Sequence, residues 1–260
     1  RETKAIGLGL AIVPLPIHDP VRVAERLATL DLLSGGRVMW GVGRGVTRAE
    51  LAGFGVASVE TRAKMIEGLR VVRAILTEGG FTRAGERYAI RPAPAPRLAQ
   101  AWMAAVSPDS FALAAELELD VLSGPFKPWP MVASDLSRYR ALRPGGKTSF
   151  TLACFCAENR ERARTLAGDG LVWAFGQIFA LTRPLIQGQL AGYESYRRFR
   201  WIAPLLERTL SLRVLEMLGL AVVGTPDDVT ARLQDLAASG LDRVSLVLAG
   251  GDVAWVDQKR

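Results

Sequence analysis

The chain of 260 residues is long enough for one large barrel or two small domains. Its composition, 49% hydrophobic and 23% charged, is that of a globular protein and argues against intrinsic disorder. The net charge is +7, but 33 basic residues are interleaved with 26 acidic ones, so no basic block predicts a nucleic-acid partner. The densest basic segment, residues 197–200, is interpreted as a solvated helix face.

Two cysteines and one histidine are too few for a disulfide framework or a zinc site, so we predict no bound metal. Cys154 and Cys156 are expected to be two buried thiols in a strand, in a reducing, cytoplasmic setting. The longest apolar stretches, such as residues 6–17, are short and interrupted by glycine and proline. No signal peptide, membrane span or membrane partner is therefore predicted.

Apolar runs of strand length alternate with amphipathic stretches of helical spacing. Asp19-Pro20 is a typical N-cap and first-turn pair, and Ser34-Gly35-Gly36 is expected to end that helix. A small hairpin is expected within residues 81–96. Six barrel strands are predicted, over residues 5–13, 37–42, 101–106, 120–124, 148–156 and 243–248. Further helices are predicted over residues 59–77, 108–117 and 131–142, and a helix-rich region over residues 158–219. The apolar run 220–223 is followed by a helix that begins at Thr225-Pro226.

This alternation predicts parallel α/β architecture, for which a doubly wound sheet and a barrel compete. A dinucleotide fingerprint needs Gly-x-Gly-x-x-Gly opening a helix, whereas Gly41-Val42-Gly43-Arg44-Gly45 has another spacing and no immediate helix. We therefore predict one domain over residues 1–260 with a (β/α)8 TIM-type barrel fold, although six strands are identified where such a barrel has eight.

The glycine-rich turn follows a strand, which is where barrel enzymes build their sites. Gly43 and Gly45 would let the backbone approach a ligand, and Arg44 could bind a phosphate or carboxylate with two N–H groups. A tight turn with a surface arginine explains the same residues equally well.

A second candidate is the helix start Val106-Ser107-Pro108-Asp109-Ser110. Free N–H groups and two hydroxyls at a helix N-terminus form an anion site, and ordinary helix capping is the alternative. The junction at Thr225 has the same shape but carries Asp227 and Asp228, which would repel phosphate. The serine junction is therefore the better phosphate candidate.

Three isolated residues have weaker signals. Arg62 lies early in a helix and gains interest only if it points toward Arg44. His18 could act as a general acid or base, or be a loop histidine at the barrel rim. Glu50 could face the same mouth, or brace a loop.

In this order, these stretches resemble the luciferase-like flavin-dependent monooxygenases. The resemblance covers nearly the whole chain, and Leu-Ser-Gly-Gly-Arg followed by Gly-Val-Gly-Arg-Gly is its most specific part. The matching segments are Leu15–His18, Asp19–Arg22, Leu30–Arg37, Gly41–Gly45, Phe54-Gly55, Ser107–Ser110 and Gly224–Pro226.

The resemblance implies a (β/α)8 barrel that binds reduced FMN at the carboxyl ends of its strands. It assigns the flavin phosphate to Arg44, Arg62, Ser107 and Ser110, and a non-proline cis peptide to Ala11–Ile12. Glu50 and His18 are the predicted catalytic residues. The predicted cofactor-binding residues are Ala11, Ile12, Gly43, Arg44, Gly45, Arg62, Val106, Ser107 and Ser110.

The implied activity is an FMN-dependent monooxygenase that uses O2 and an organic substrate, with a separate flavin reductase and a homodimeric assembly. Hydride transfer with the deazaflavin F420, or a non-catalytic flavin-binding protein, are the alternatives. The first strand corresponds to the family's third, so the expectation is a fragment or a reduced barrel without the first two β/α units and their active-site histidine.

The aromatic residues leave a further choice between lining a pocket and packing a core. The helix-rich region is expected to cover the barrel mouth, and its aromatic residues to indicate an apolar substrate. The residues concerned are Trp102, Trp129, Trp173, Phe175, Phe179, Tyr193 and Tyr196.

Overall fold

The computed structural model describes residues 3–189, 191–194, 197 and 209–247. The chain forms two compact units. One consists of Arg1–Ala104 with Leu190–Glu194, and the other of Ala105–Gln189 with Ser195–Arg260. Each unit carries parallel strands together with α-helices. The predicted α/β class with parallel strands is thereby confirmed.

The first unit contains three parallel strands, in the order β1–β2–β5, and an antiparallel hairpin, β3–β4. Helices α1 and α3 pack against each other. The strands are β1 (Leu8–Pro14), β2 (Val38–Gly43), β3 (Gly80–Arg83), β4 (Glu86–Ala89) and β5 (Trp102–Ala104). The helices are α1 (Pro20–Ser34), α2 (Arg48–Gly53) and α3 (Thr61–Glu78).

The ends of α1 follow directly from its sequence. The Asp19 carboxylate accepts a hydrogen bond from the Arg22 N–H at 3.0 Å, and Pro20 occupies the first turn. Gly35 ends the helix in the left-handed region, with φ of 70°. The predicted boundaries of this helix are confirmed.

Strands β1 and β2 approach each other so closely that a side chain on Gly41 would overlap the carbonyl oxygen of Ala11. The glycine here serves the neighbouring strand rather than a ligand. The pairing register of β1 and β2 shifts between Leu10 and Val13, the part of β1 in which the cis peptide was expected. The prediction of a cis bond at Ala11–Ile12 is wrong, since the cis bond among the described residues is Arg91–Pro92.

The described residues of the second unit form four strands, and β7 pairs in parallel with β6, β8 and β9. The prediction of six barrel strands was one too few, because β8 has only four residues and directly precedes a helix start. The strands are β6 (Asp120–Ser123), β7 (Thr148–Cys156), β8 (Ala221–Gly224) and β9 (Arg243–Val247). The helices are α4 (Pro108–Glu116), α5 (Trp129–Leu142), α6 (Arg160–Ile186), α7 (Leu212–Met217) and α8 (Pro226–Ala238).

Strand β7 lies at the centre of this unit, with Phe150 and Leu152 fully buried. Cys154 is buried as expected, and burial raises the pKa of its thiol. Cys156 is exposed, which corrects the prediction of two buried thiols, because it is the last residue of the strand.

The predicted helix-rich region contains α6 and α7, and α6 bends where Gly168 leaves helical geometry. Three predictions lie outside the described residues: the role of Tyr196, the helix face at 198–200, and the strand end at Leu248. None of the helices within the described ranges has the length and apolar character needed to cross a membrane.

Candidate functional site

The predicted serine junction forms a tightly bonded turn at the start of α4. The Ser110 hydroxyl oxygen accepts hydrogen bonds from the N–H groups of Val106 and Ser107, each at 3.0 Å. It donates in turn to the Ser107 carbonyl oxygen at 2.6 Å. The structure therefore brings Val106, Ser107 and Ser110 together, with the Ser110 hydroxyl acting as a neutral cap of the helix.

A second chain segment of the same unit ends beside this turn. The Ala105 N–H donates to the Leu122 carbonyl oxygen at 3.0 Å, so the segment leading into Ser107 runs alongside β6. Ser123, the last residue of β6, is fully buried, and its hydroxyl has no hydrogen-bond partner among the described residues. A buried unpaired hydroxyl at the carboxyl end of a parallel strand is suited to bind a polar ligand atom.

Lys127 follows β6 and is the buried cation of this region, with its residue surface only 2% exposed. Its ammonium group forms an ion pair with Asp135 of α5 and donates to the Val106 carbonyl oxygen at 2.5 Å. It also lies 5.3 Å from the centre of the Phe111 ring. A buried ion pair, whose cation also binds the backbone, is therefore fixed directly behind the turn at Ser107.

Arg44, in the first unit, lies in a cluster of its own. Its guanidinium group donates to the Thr61 hydroxyl at 3.1 Å and to the Gly192 carbonyl oxygen at 2.7 Å. The Tyr193 ring stacks on it at 4.0 Å, and the Tyr193 hydroxyl donates to the Gly45 carbonyl oxygen at 2.7 Å. An anion that binds Arg44 must share or replace these contacts.

The other predicted residues of the first unit do not form one cluster in the described part of the chain. Arg62 is half-buried and follows Thr61, but it makes no hydrogen bond or ion pair with the described residues. Glu50 is half-buried and accepts a hydrogen bond from the Thr47 hydroxyl at 3.3 Å, at the start of α2. His18 ends a 3-10 turn, where its N–H donates to the Leu15 carbonyl oxygen.

The aromatic residues divide between core and surface. Phe175, Phe179 and Tyr193 are buried, whereas Trp173 on α6 is 67% exposed. Trp129 packs on Phe150, with ring centres 4.9 Å apart. Core packing thus accounts for the buried members, whereas Trp173 stands at the surface of α6.

Sequence reasoning did not single out Lys127, Asp135 or Ser123. A usable signal was present for Asp135, because a carboxylate stands on the buried face of α5 beside Val132 and Leu136. A charged residue in such an apolar stripe requires a buried partner. Lys127 lies eight positions away in a loop, where no periodicity points to it.

The sequence of the chain is similar to those of known proteins. The family model described as "Luciferase-like monooxygenase" matches residues 1–243. The 4-hydroxyprotoasukamycin monooxygenase of Streptomyces nodosus subsp. asukaensis is 35% identical over 138 residues, which are 50% of this chain and 37% of that protein. Limonene 1,2-monooxygenase of Rhodococcus erythropolis is 33% identical over 128 residues, 47% of this chain and 33% of that protein. The matches thus span about a third of the length of these relatives.

Solved structures show the same fold at low sequence identity. The oxygenating constituent of 3,6-diketocamphane monooxygenase from Pseudomonas putida, in complex with FMN, has a TM-score of 0.68 and 17% identity, over 94% of this chain and 74% of that one. Coenzyme F420-dependent tetrahydromethanopterin reductase from Methanopyrus kandleri has a TM-score of 0.64 and 16% identity, over 99% of this chain and 81% of that one.

These findings confirm the predicted fold class, α/β of the luciferase-like TIM-barrel type. The family match covers far more than half of the chain and agrees with the resemblance carried by the serine and glycine-rich turns. The chain belongs to the luciferase-like monooxygenase family.

Proposed function

We propose that this chain is part of an FMN-dependent monooxygenase that oxidises an apolar organic substrate with O2. A separate reductase supplies the reduced flavin in this proposal. The observation that carries it is the start of α4, where a neutral hydroxyl cap and the buried Lys127 ammonium surround the N–H groups of one turn. Helix N-termini of this kind favour phosphate.

The residues present fit a flavin phosphate. Ser107 offers a hydroxyl next to the helix N-terminus. Ser110, whose hydroxyl is bonded within the turn, caps the helix without a charge that would repel an anion. The unpaired Ser123 hydroxyl, at the end of the adjacent strand, fits a further polar atom of the cofactor. Arg44 and Arg62 enter the proposal from the family resemblance, as do Glu50 and His18 as catalytic residues. The same holds for Ala11 and Ile12 of β1, for the segment Gly43–Gly45 and for Val106.

Reduced flavin, when bound, activates O2 for transfer of one oxygen atom to the substrate. The part of the protein is to anchor the phosphate and to keep water away from the reacting atoms. An apolar substrate is supported by the relative named limonene 1,2-monooxygenase. A homodimer in the cytoplasm belongs to the same proposal.

An F420-dependent oxidoreductase is the second candidate. The observation in its favour is the structural likeness to an F420-dependent reductase, with a TM-score of 0.64. Both cofactors carry phosphate, so the serine junction suits either of them.

The test is an anaerobic titration of the full chain with reduced FMN, reduced riboflavin and reduced F420, followed by fluorescence. Preference for FMN over riboflavin, and O2-dependent oxidation of limonene-like hydrocarbons after oxygen is admitted, are the expected results. Preference for F420 would establish the second candidate instead. Flavin binding without turnover of any substrate would indicate a non-catalytic flavin protein.

An Arg44→Ala variant tests the arginine, with Tyr193→Phe as its matched control. We expect Arg44→Ala to weaken FMN binding about tenfold, the loss of one charge-assisted hydrogen bond. Tyr193→Phe removes the hydroxyl contacts to Gly45 and Thr61 but keeps the ring on the guanidinium group, so FMN binding should stay the same. Equal losses in both variants would assign Arg44 a purely structural role.

A further inference from the structure

Lys127 and Asp135 form a buried ion pair that the proposed function does not explain. Their side chains are 1% and 6% exposed. Burying two charges costs several kcal/mol each, and well-packed apolar residues of the same volume are often at least as stable. Stability alone therefore gives little reason to keep this pair, and its geometry indicates another role.

The ammonium group reaches from the loop after β6 to the carbonyl oxygen of Val106, 21 positions earlier in the chain. That oxygen belongs to the peptide group that also contains the Ser107 N–H. A trans peptide group is planar, with its C=O and N–H pointing in opposite directions. Holding the Val106 oxygen therefore fixes the direction in which the Ser107 N–H points.

Two further contacts hold the same turn from its other side. The Ser110 hydroxyl accepts hydrogen bonds from the N–H groups of Val106 and Ser107. The orientation of the Val106–Ser107 peptide group is thus determined by a cation on one side and by a neutral hydroxyl on the other. Loss of the cation would leave only the hydroxyl.

Lys127 is itself held by helices rather than by loops. Asp135 projects from α5, and Phe111 of α4 presents its ring 5.3 Å from the ammonium nitrogen. Arg138 approaches Asp135 at 3.7 Å and adds positive charge on its exposed side. Side chains anchored on packed helices keep their geometry better than those on loops.

We propose that Lys127 is a positioning residue for the phosphate of the flavin. It orients the Val106–Ser107 peptide group at the start of α4 through its hydrogen bond to the Val106 carbonyl oxygen. This inference rests on the proposed function, since it concerns the phosphate site of the cofactor. Asp135 acts through Lys127, by holding the ammonium group in place.

The experiment compares reduced FMN with reduced riboflavin, which lacks the phosphate. The variant is Lys127→Met together with Asp135→Leu, which removes both charges and leaves neither one buried alone. Its control is Arg164→Gln with Glu216→Gln, an ion pair of the same unit between α6 and α7. Urea unfolding confirms that both variants are folded, and anaerobic titrations of the full chain give the affinities.

We expect the double variant to bind FMN about tenfold more weakly, with riboflavin affinity unchanged, since only the phosphate contact is altered. The control should keep both affinities. Equal weakening of FMN and riboflavin would indicate a merely structural pair and overturn the inference. An FMN-to-riboflavin affinity ratio equal to that of the wild type would overturn it as well.

A second variant covers the case in which the first does not fold. Lys127→Gln with Asp135→Asn keeps polar side chains of similar size without charges, and about a threefold loss specific to FMN is expected. No such loss would overturn the inference. A wild-type chain that does not prefer FMN over riboflavin would instead refute the proposed phosphate site, and with it this inference, so the two failures are distinguishable.

Discussion

The starts of α4 and α8 share a hydroxyl residue, a proline and an aspartate, but differ at the third helical position. At α8, the Asp228 carboxylate accepts hydrogen bonds from the N–H and hydroxyl groups of Thr225, at 2.9 and 3.0 Å. At α4, the Ser110 hydroxyl takes the equivalent place without a charge. Both helices thus carry an aspartate at their second position, but the cap is a carboxylate at α8 and a neutral hydroxyl at α4.

The cations beside the two junctions differ in the same way. Arg160 binds Asp228 at the surface, with a side chain that is 74% exposed. Lys127 is buried, and it binds the backbone of the turn as well as a carboxylate. A surface pair of this kind contributes little to stability. We infer that the α8 cation completes a helix cap, while the α4 cation serves the backbone of the turn.

The largest expected effect comes from removing the buried cation alone. Lys127→Met leaves the Asp135 carboxylate buried without its main partner, which costs about 3–5 kcal/mol of unfolding free energy. Arg160→Met at the other junction should leave the unfolding midpoint almost unchanged. Urea unfolding of both variants checks this contrast, and equal midpoints would contradict the distinction between the two cations.

Exchange of the third helical residue should give the next largest effect. Ser110→Asp makes the start of α4 resemble that of α8, and the added charge should weaken FMN binding at least about tenfold while the helix keeps a cap. The matched variant Asp228→Ser should leave FMN affinity as it is. FMN binding that withstands the Ser110→Asp exchange would place the phosphate elsewhere.

The smallest expected effect is a pH dependence at α8. Hydrogen bonds from Arg160 and from the Thr225 N–H hold the pKa of Asp228 well below its ordinary value. The carboxylate therefore stabilises the fold above the unfolded-state pKa, about 3.9, and this contribution is lost as the pH falls toward the lower folded-state pKa. The melting temperature of Asp228→Ser should lie below that of wild type at pH 7, and the gap should narrow below about pH 4. A gap that is independent of pH would exclude the ionised carboxylate as its cause.

Most elements could be predicted because their signals are local. Asp19-Pro20 and Gly35 set the ends of α1, as predicted. The apolar residues Met65, Leu69, Val72 and Leu76 recur at helical spacing and form the buried face of α3. Two short elements escaped: α2, which lies within a loop, and the four-residue strand β8. Elements of this length carry too few residues to show a period.

The site was less predictable, because its contacts join distant parts of the chain. Gly192, which binds Arg44, lies 148 positions away from it, and Lys127 lies 21 positions from Val106. Helix capping by Ser107 and Ser110 was one of the two interpretations of this segment. The structure shows that capping, and the capping group is an uncharged hydroxyl. A sequence does not indicate which backbone carbonyl oxygens accept hydrogen bonds from cationic side chains.

The two thiols at the end of β7 have a practical consequence for spectroscopy. Cys156 is exposed at the carboxyl end of the strand, whereas Cys154 is buried and burial raises its pKa, so it is shielded from alkylating reagents. A maleimide dye should therefore label one position in this chain, Cys156. Because Cys156 pairs with Gly224 at the start of the α8 junction, such a dye would report by its emission on events at this end of the strands without any engineered cysteine.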